Sequence, residues 1–362
     1  MHKNIIILFL FFYYHHSLIA QYAEHVAPEF IKTIQFLGST KQSQLPIIRL
    51  GEKVYLSFDA LNGNEADYYY KITHHDFDWR LSDLTKGEYM DGFDDVRLYE
   101  YSNSFNTLKG YSHYTLNIPN RDTRKLTKSG NYMVSIYNDD GELVFSKKFM
   151  IIENKVTVAA SVKRARNLEN IQTKQVVQFV IDSPNLLLTN PKETVNTLIL
   201  QNSNLNTPIT NLKPQYTIGS QLIYRYDKEA SFDAGNEYLF FDNKDIRSGS
   251  SSIRKIDLTD IYNTYLYTNS ARFERPYTYN PDINGNYQIR ILYPTSDISI
   301  EADYARIHFK LQYFEDLNDK EIHVYGNFNN YTIDETTYMK YDSFSDTYTN
   351  QILLKQGSYN YK

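Results

Sequence analysis

The chain has 362 residues, enough for two or three domains. A 41% hydrophobic content supports folded cores, and 14 Gly with 10 Pro exclude collagen-like and low-complexity classes. A formal net charge of -5 excludes the basic excess on which nucleic-acid binding depends, and zero Cys excludes disulfides, thiolate nucleophiles, zinc–thiolate sites and iron–sulfur clusters. The same absence removes the Cys that a bacterial lipoprotein anchor needs. The 34 Tyr and 20 Phe residues lean to strands, because flat rings cover a half-buried pleated surface well.

Residues 1–20 have the plan of a secretory signal peptide: Lys3, an apolar run over 5–12, then Ala20 at a cleavage position before Gln21. The run is too short to span a bilayer, and Tyr13, Tyr14, His15 and His16 interrupt it. Cleavage is expected just before or after Gln21, giving an exported chain without a lipid anchor.

Strand signals then recur. Val54, Leu56 and Phe58 alternate with Tyr55 and Ser57, the period of a strand with two different faces. Asn62-Gly63-Asn64 is a turn that leads into a strand over 67–73. The stretch 78–106 is less regular and is expected to hold long loops or a short helix. Tyr132, Val134 and Ile136, then Asn138-Asp139-Asp140-Gly141, then Leu143, Phe145 and Phe149 predict a hairpin. It closes a first β-sandwich over 21–152.

A second sandwich with linker is expected over 153–302, with strands at 156–162, 175–181, 194–201, 221–226 and 238–241. The basic string Lys163-Arg164-Ala165-Arg166 falls at a strand or loop edge in this unit. Residues 248–252, 276–281 and 284–286 are loops, and 287–293 is a further strand. A third unit over 303–362 carries strands at 305–312, 321–325 and 359–361. About 60 residues is short for a sandwich, so this unit is expected to be incomplete or completed by another element.

The densest polar cluster is His74-His75-Asp76-Phe77-Asp78-Trp79. Neighbours on a strand point to opposite faces, so the two histidines do not readily share one ion. The structural reading is a strand end with hydrogen bonds and a packed Trp79. Asp94-Asp95 and Asp139-Asp140 lie in turn-like contexts. There is no Gly-x-Ser-x-Gly, His-Glu-x-x-His or Gly-rich phosphate loop, so no catalytic, metal or cofactor residue is assigned. Tyr68-Tyr69-Tyr70 must send at least one ring away from the core, to serve either an interface or cross-strand packing.

Many short strings occur in one order: Leu56-Ser57-Phe58-Asp59-Ala60-Leu61, Tyr69-Tyr70-Lys71-Ile72-Thr73-His74, Asp78-Trp79, Ser104-Phe105-Asn106-Thr107, Ile118-Pro119-Asn120, Ser129-Gly130-Asn131-Tyr132, Ala234-Gly235-Asn236-Glu237 and Lys355-Gln356-Gly357-Ser358-Tyr359. Together they resemble the plug proteins of the type IX secretion system of Bacteroidetes, over nearly the whole mature chain. The resemblance implies a non-enzymatic periplasmic protein, without cofactor or membrane insertion. Its partner would be the outer-membrane translocon barrel, whose periplasmic mouth it closes when no substrate is engaged. It agrees with an all-β fold of tandem antiparallel Ig-like β-sandwich domains. A weaker resemblance joins 324–331 and 357–362 to the early-Ig-type sandwiches of glycogen-binding modules. Those stack sugars on Trp, and here Tyr331 stands at that position. A periplasmic carbohydrate-binding protein is therefore the alternative, and a hydrolase with paired carboxylates across a cleft is a second rival.

Overall fold

Alternating apolar side chains fold the first unit into two facing sheets. The computed structural model describes residues 23–38, 44–63, 65–235, 238–272, 279 and 281–362. The signal-peptide segment with Ala20 and Gln21, the turn residue Asn64, Asn236 and Glu237 of the family string, and most of 276–281 lie outside them. One sheet has the order Ile31–Leu37, Val54–Ala60, Ser112–Ile118, Tyr101–Asn103. The other runs Ile47–Arg49, Leu143–Ile152, Gly130–Tyr137, Tyr69–His75, Val96–Arg97. Pairing is antiparallel except that Ile47–Arg49 runs parallel to the end of Leu143–Ile152. Phe36, Phe58 and Tyr114 from one sheet meet Ile72, Val134, Phe145 and Phe149 from the other in a single core. Phe58 stacks on Tyr114 at 5.2 Å and meets Phe145 edge-on at 5.1 Å, the offset and T-shaped geometries that aromatic quadrupoles favour. The irregular middle forms the short helix Lys86–Tyr89, with Thr85 and Glu88 as its capping box.

The second unit is thinner. Thr157–Arg164, Lys174–Asp182, Gln221–Tyr224 and Tyr216–Ile218 form its sheet, with Ser231–Asp233 paired to Lys174–Asp182. Only Phe179, Ile181, Leu222 and Tyr224 are buried in its main cluster. The expected strand over 194–201 shrinks to Leu198–Ile199, because Pro191 starts the helical turn Pro191–Thr194 just ahead of it.

The third unit packs a sheet of Leu239–Asp242, Gly357–Tyr361 and Tyr287–Ile289 against a larger one. The larger sheet has the order Ile253–Leu258, Tyr262–Leu266, Tyr304–Gln312, Thr347–Lys355, Lys340–Asp342. Phe241, Tyr359 and Tyr287 stack in a row at 5.1 and 5.4 Å and face Ile307, Phe309 and Leu354. The expected division between 302 and 303 does not match this pairing. Strands from 239 to 289 complete the sheets of 304–361, so the short third unit gains its missing strands from the segment assigned to the second. The expected strand over 321–325 is only an isolated bridge between His323 and Tyr338.

Candidate interaction site

The outward face of Val54–Ala60 looks like a solvent face in sequence, since Val54, Leu56 and Phe58 take the core. Asp59 on that outward face is nevertheless fully buried, because the third unit covers it. Its Oδ2 accepts from Lys355 Nζ at 2.6 Å and from the Tyr304 hydroxyl at 2.6 Å. Its Oδ1 accepts from His113 Nδ1 at 2.6 Å. Lys355 Nζ also donates to the Ser299 carbonyl at 2.5 Å and sits 4.1 Å from the Tyr111 ring centroid. Burial pulls the Lys355 ammonium below its usual range, with Asp59 opposing the shift. Burial and the Asp59 charge push the Tyr304 phenol far up. The pair is therefore expensive to desolvate and is held by the hydrogen bonds on both partners and by the Tyr111 ring beside the ammonium.

Further bonds extend this junction. Asp303 accepts from the backbone N–H groups of Leu108 at 2.7 Å and Lys109 at 3.1 Å. The Tyr111 hydroxyl donates to the Ala302 carbonyl at 2.8 Å, and the Tyr287 hydroxyl to Ile34 O at 2.9 Å. The first and third units are thus fastened across a buried polar interface. The string reading touched Asp59 and Lys355 only as parts of family motifs. No local signal marks them, because the partner of each lies in a different unit.

Beside the junction an open cleft of about 1300 Å³ is walled by all three units. Glu24, Lys32 and Lys148 of the first unit, Tyr265 and His308 of the third and Asn206 of the second are among its lining. Glu24 bridges the cleft wall, accepting from Lys147 Nζ at 2.7 Å, Lys148 N at 2.8 Å and Asn330 Nδ2 at 3.0 Å. Burial lowers the pKa of Lys32, Lys148 and His308.

The sequence-singled residues fall elsewhere. His74 Nδ1 bonds Ser82 Oγ at 2.8 Å and its Nε2 the Ser129 carbonyl at 3.2 Å. His75 faces the other way, to the Trp79 carbonyl at 3.0 Å and Thr73 Oγ1 at 2.8 Å. Trp79 is buried, with Lys148 Nζ 4.4 Å above its ring. Asp94 is used structurally, by the Ile72 N–H at 2.7 Å and by Lys86, while Asp139 and Asp140 sit in an exposed turn. Tyr68 and Tyr70 are in the core and Tyr69 faces outward. Among the described residues no three His, Asp or Glu side chains converge as metal ligands would. Tyr331 is only 5% exposed, and its hydroxyl donates to the carbonyls of Asn284 at 3.1 Å and Asn202 at 3.3 Å. Its ring is closed to a sugar.

The class defined by this architecture is an all-β chain of Ig-like sandwich units. Residues 31–153 match the family model described as the type 9 secretion system plug protein first domain. A crystal structure of a hypothetical protein from Parabacteroides merdae aligns with a TM-score of 0.88 at 31% identity, covering 94% of this chain and 86% of that one. No curated protein sequence gives a significant match. The chain belongs to the type 9 secretion system plug protein family, which associates it with that secretion machinery and is not a family of enzymes.

Proposed function

We propose that this protein is a non-enzymatic periplasmic plug, which occludes the periplasmic opening of the type IX outer-membrane translocon barrel when no substrate is engaged. Family membership over the first unit carries the reading. The buried junction supports it, because occlusion needs a folded body that keeps its shape when pressed against an opening. A plug must also leave, so its contact is of moderate strength, with a polar rim and a few aromatic anchors. Export with cleavage beside Gln21 belongs to the same proposal, and N-terminal sequencing of envelope-extracted protein checks it. An intact Met1 there contradicts it. The carbohydrate-binding alternative loses its stacking platform at Tyr331, whose ring is buried.

Deletion of the gene tests the reading. Cargo secretion is expected to continue largely intact, while sensitivity rises to a large antibiotic that the outer membrane normally excludes. Unchanged permeability together with lost growth on one polysaccharide replaces the plug reading with carbohydrate binding.

A further inference from the structure

The strand Thr157–Arg164 stands at one edge of the second unit's sheet, paired on one side only, to Lys174–Asp182. All eight of its residues are exposed. Natural sheets guard such edges with charges, Pro, bulges or a cover, because an unpaired row of N–H and C=O groups is a template for another chain. Here 156–162 reads Val-Thr-Val-Ala-Ala-Ser-Val, with no charge and no Pro. The register adds a second point. Val158, Ala160 and Val162 lie opposite Ile181, Phe179 and Val177, so they share the face that holds the second unit's core. Val158 is 58% and Val162 64% exposed. That core face runs out to the edge and is left uncovered there.

The charges at the strand's end select an occupant. Lys163 Nζ donates to Gln178 Oε1 at 3.0 Å, and Arg164 to the Ile171 carbonyl at 2.6 Å and Gln172 Oε1 at 2.9 Å. These acceptors are neutral, so both cations lack a carboxylate among the described residues. Glu153 faces Lys155 at 3.5 Å, and Asp227 is taken by the backbone N–H groups of Arg166 and Asn167. Antiparallel pairing of this strand with a second copy of itself, centred on Ala160, sets Lys155 of one copy diagonally across from Lys163 of the other on the same face. Like charges then oppose self-pairing.

We infer that the 157–164 edge captures an extended segment of another polypeptide by backbone strand addition. The segment runs antiparallel, alternates apolar and polar residues so that its apolar face extends the second unit's core, and carries carboxylates at the end that meets Lys163 and Arg164. Main-chain bonds supply affinity in this mode, while alternate side chains and end charges supply selection. The inference does not depend on closure of a translocon.

The test uses the full mature chain and two labelled peptides of alternating Val and Thr, one with two N-terminal Glu and one with two N-terminal Lys. The acidic peptide is expected to bind and to slow amide exchange within 157–164. The basic one should bind about tenfold more weakly, as two exposed ion pairs allow. The surface variant Lys163→Glu with Arg164→Glu should reverse that order without changing thermal stability. Three outcomes overturn the inference: neither peptide binds at millimolar concentration, protection appears only outside 157–164, or sedimentation shows the wild-type chain dimerising with amide protection at 157–164.

Discussion

Trp79 holds a backbone φ of +66°, in the left-handed region that L residues avoid at a cost of about 1–2 kcal/mol. The strain is held by the turn, where the Trp79 N–H donates to Asp76 O at 3.0 Å and Asp76 N–H to Arg80 O at 2.8 Å. Trp79→Ala is expected to lose about 3–5 kcal/mol in urea unfolding, from the missing ring. Trp79→Gly should be no worse than Ala, since Gly relieves the φ penalty. A Gly variant clearly less stable than Ala contradicts this account. Asp59 and Lys355 make a sharper case. Lys355→Met strands a buried carboxylate and should cost about 3–5 kcal/mol. Adding Asp59→Asn should recover much of that loss, because Asn still accepts from Tyr304 without a charge. If the double variant is as unstable as both losses added together, the pair is not the coupled unit described here.

At the scale of elements, the turn that presents the Ser299 carbonyl to Lys355 depends on Glu301. Its carboxylate accepts from the N–H and hydroxyl groups of Thr295 and Ser296 at 2.5–2.8 Å. These bonds, that to the Ser296 hydroxyl foremost, hold its pKa down at about 2. A depressed carboxyl pKa stabilises the fold above the ordinary Glu range and loses that contribution as pH falls toward 2. Wild type should therefore exceed Glu301→Gln in melting temperature at neutral pH, with the gap closing between about pH 4.5 and 2. A gap independent of pH removes Glu301 from this role. Gly357 is a second pivot, since a Cβ there would lie 2.3 Å from the Gln288 carbonyl oxygen. Gly357→Ala should separate the 287–289 strand from 357–361, costing about 1–3 kcal/mol, and faster amide exchange in 287–289 reads it out. The first unit was legible from sequence because period-2 alternation and the Asn138–Gly141 turn are local signals. The strand Thr347–Lys355 was not. Its residues Thr-Tyr-Thr-Asn-Gln-Ile-Leu-Leu-Lys alternate poorly, since one face meets the third unit's core while Lys355 at its end meets the first unit. The junction was invisible for the same reason, because a polar residue on an outward strand face looks solvated until a distant unit covers it.

For the whole molecule, the junction joins the first unit to the third and leaves the second as the outlier. The second unit touches the third mainly through its 202–206 loop, where Asn206 Nδ2 donates to the carbonyls of Asn330 and Tyr331 at 3.1 and 3.2 Å. Its core is also small. Calorimetry of the mature chain should show two transitions, the second unit melting alone and the other two melting together. Lys355→Met should split the shared transition. Three transitions in the wild type would mean that the buried polar interface does not couple the units.

The separation of 296 residues between Asp59 and Lys355 also sets a clock. At ~5–20 residues per second of synthesis, the ammonium follows its carboxylate by ~15–60 s. Until the strand ending at Lys355 is in place the first sandwich can close its interior but not its outer sheet, where Asp59 stays hydrated. A polypeptide broken off before Lys355 remains in that condition and offers the uncovered sheet to proteases. The outer sheet of the first unit is therefore sealed from a strand made almost 300 residues later, and its protection from proteases is gained late rather than with its own interior.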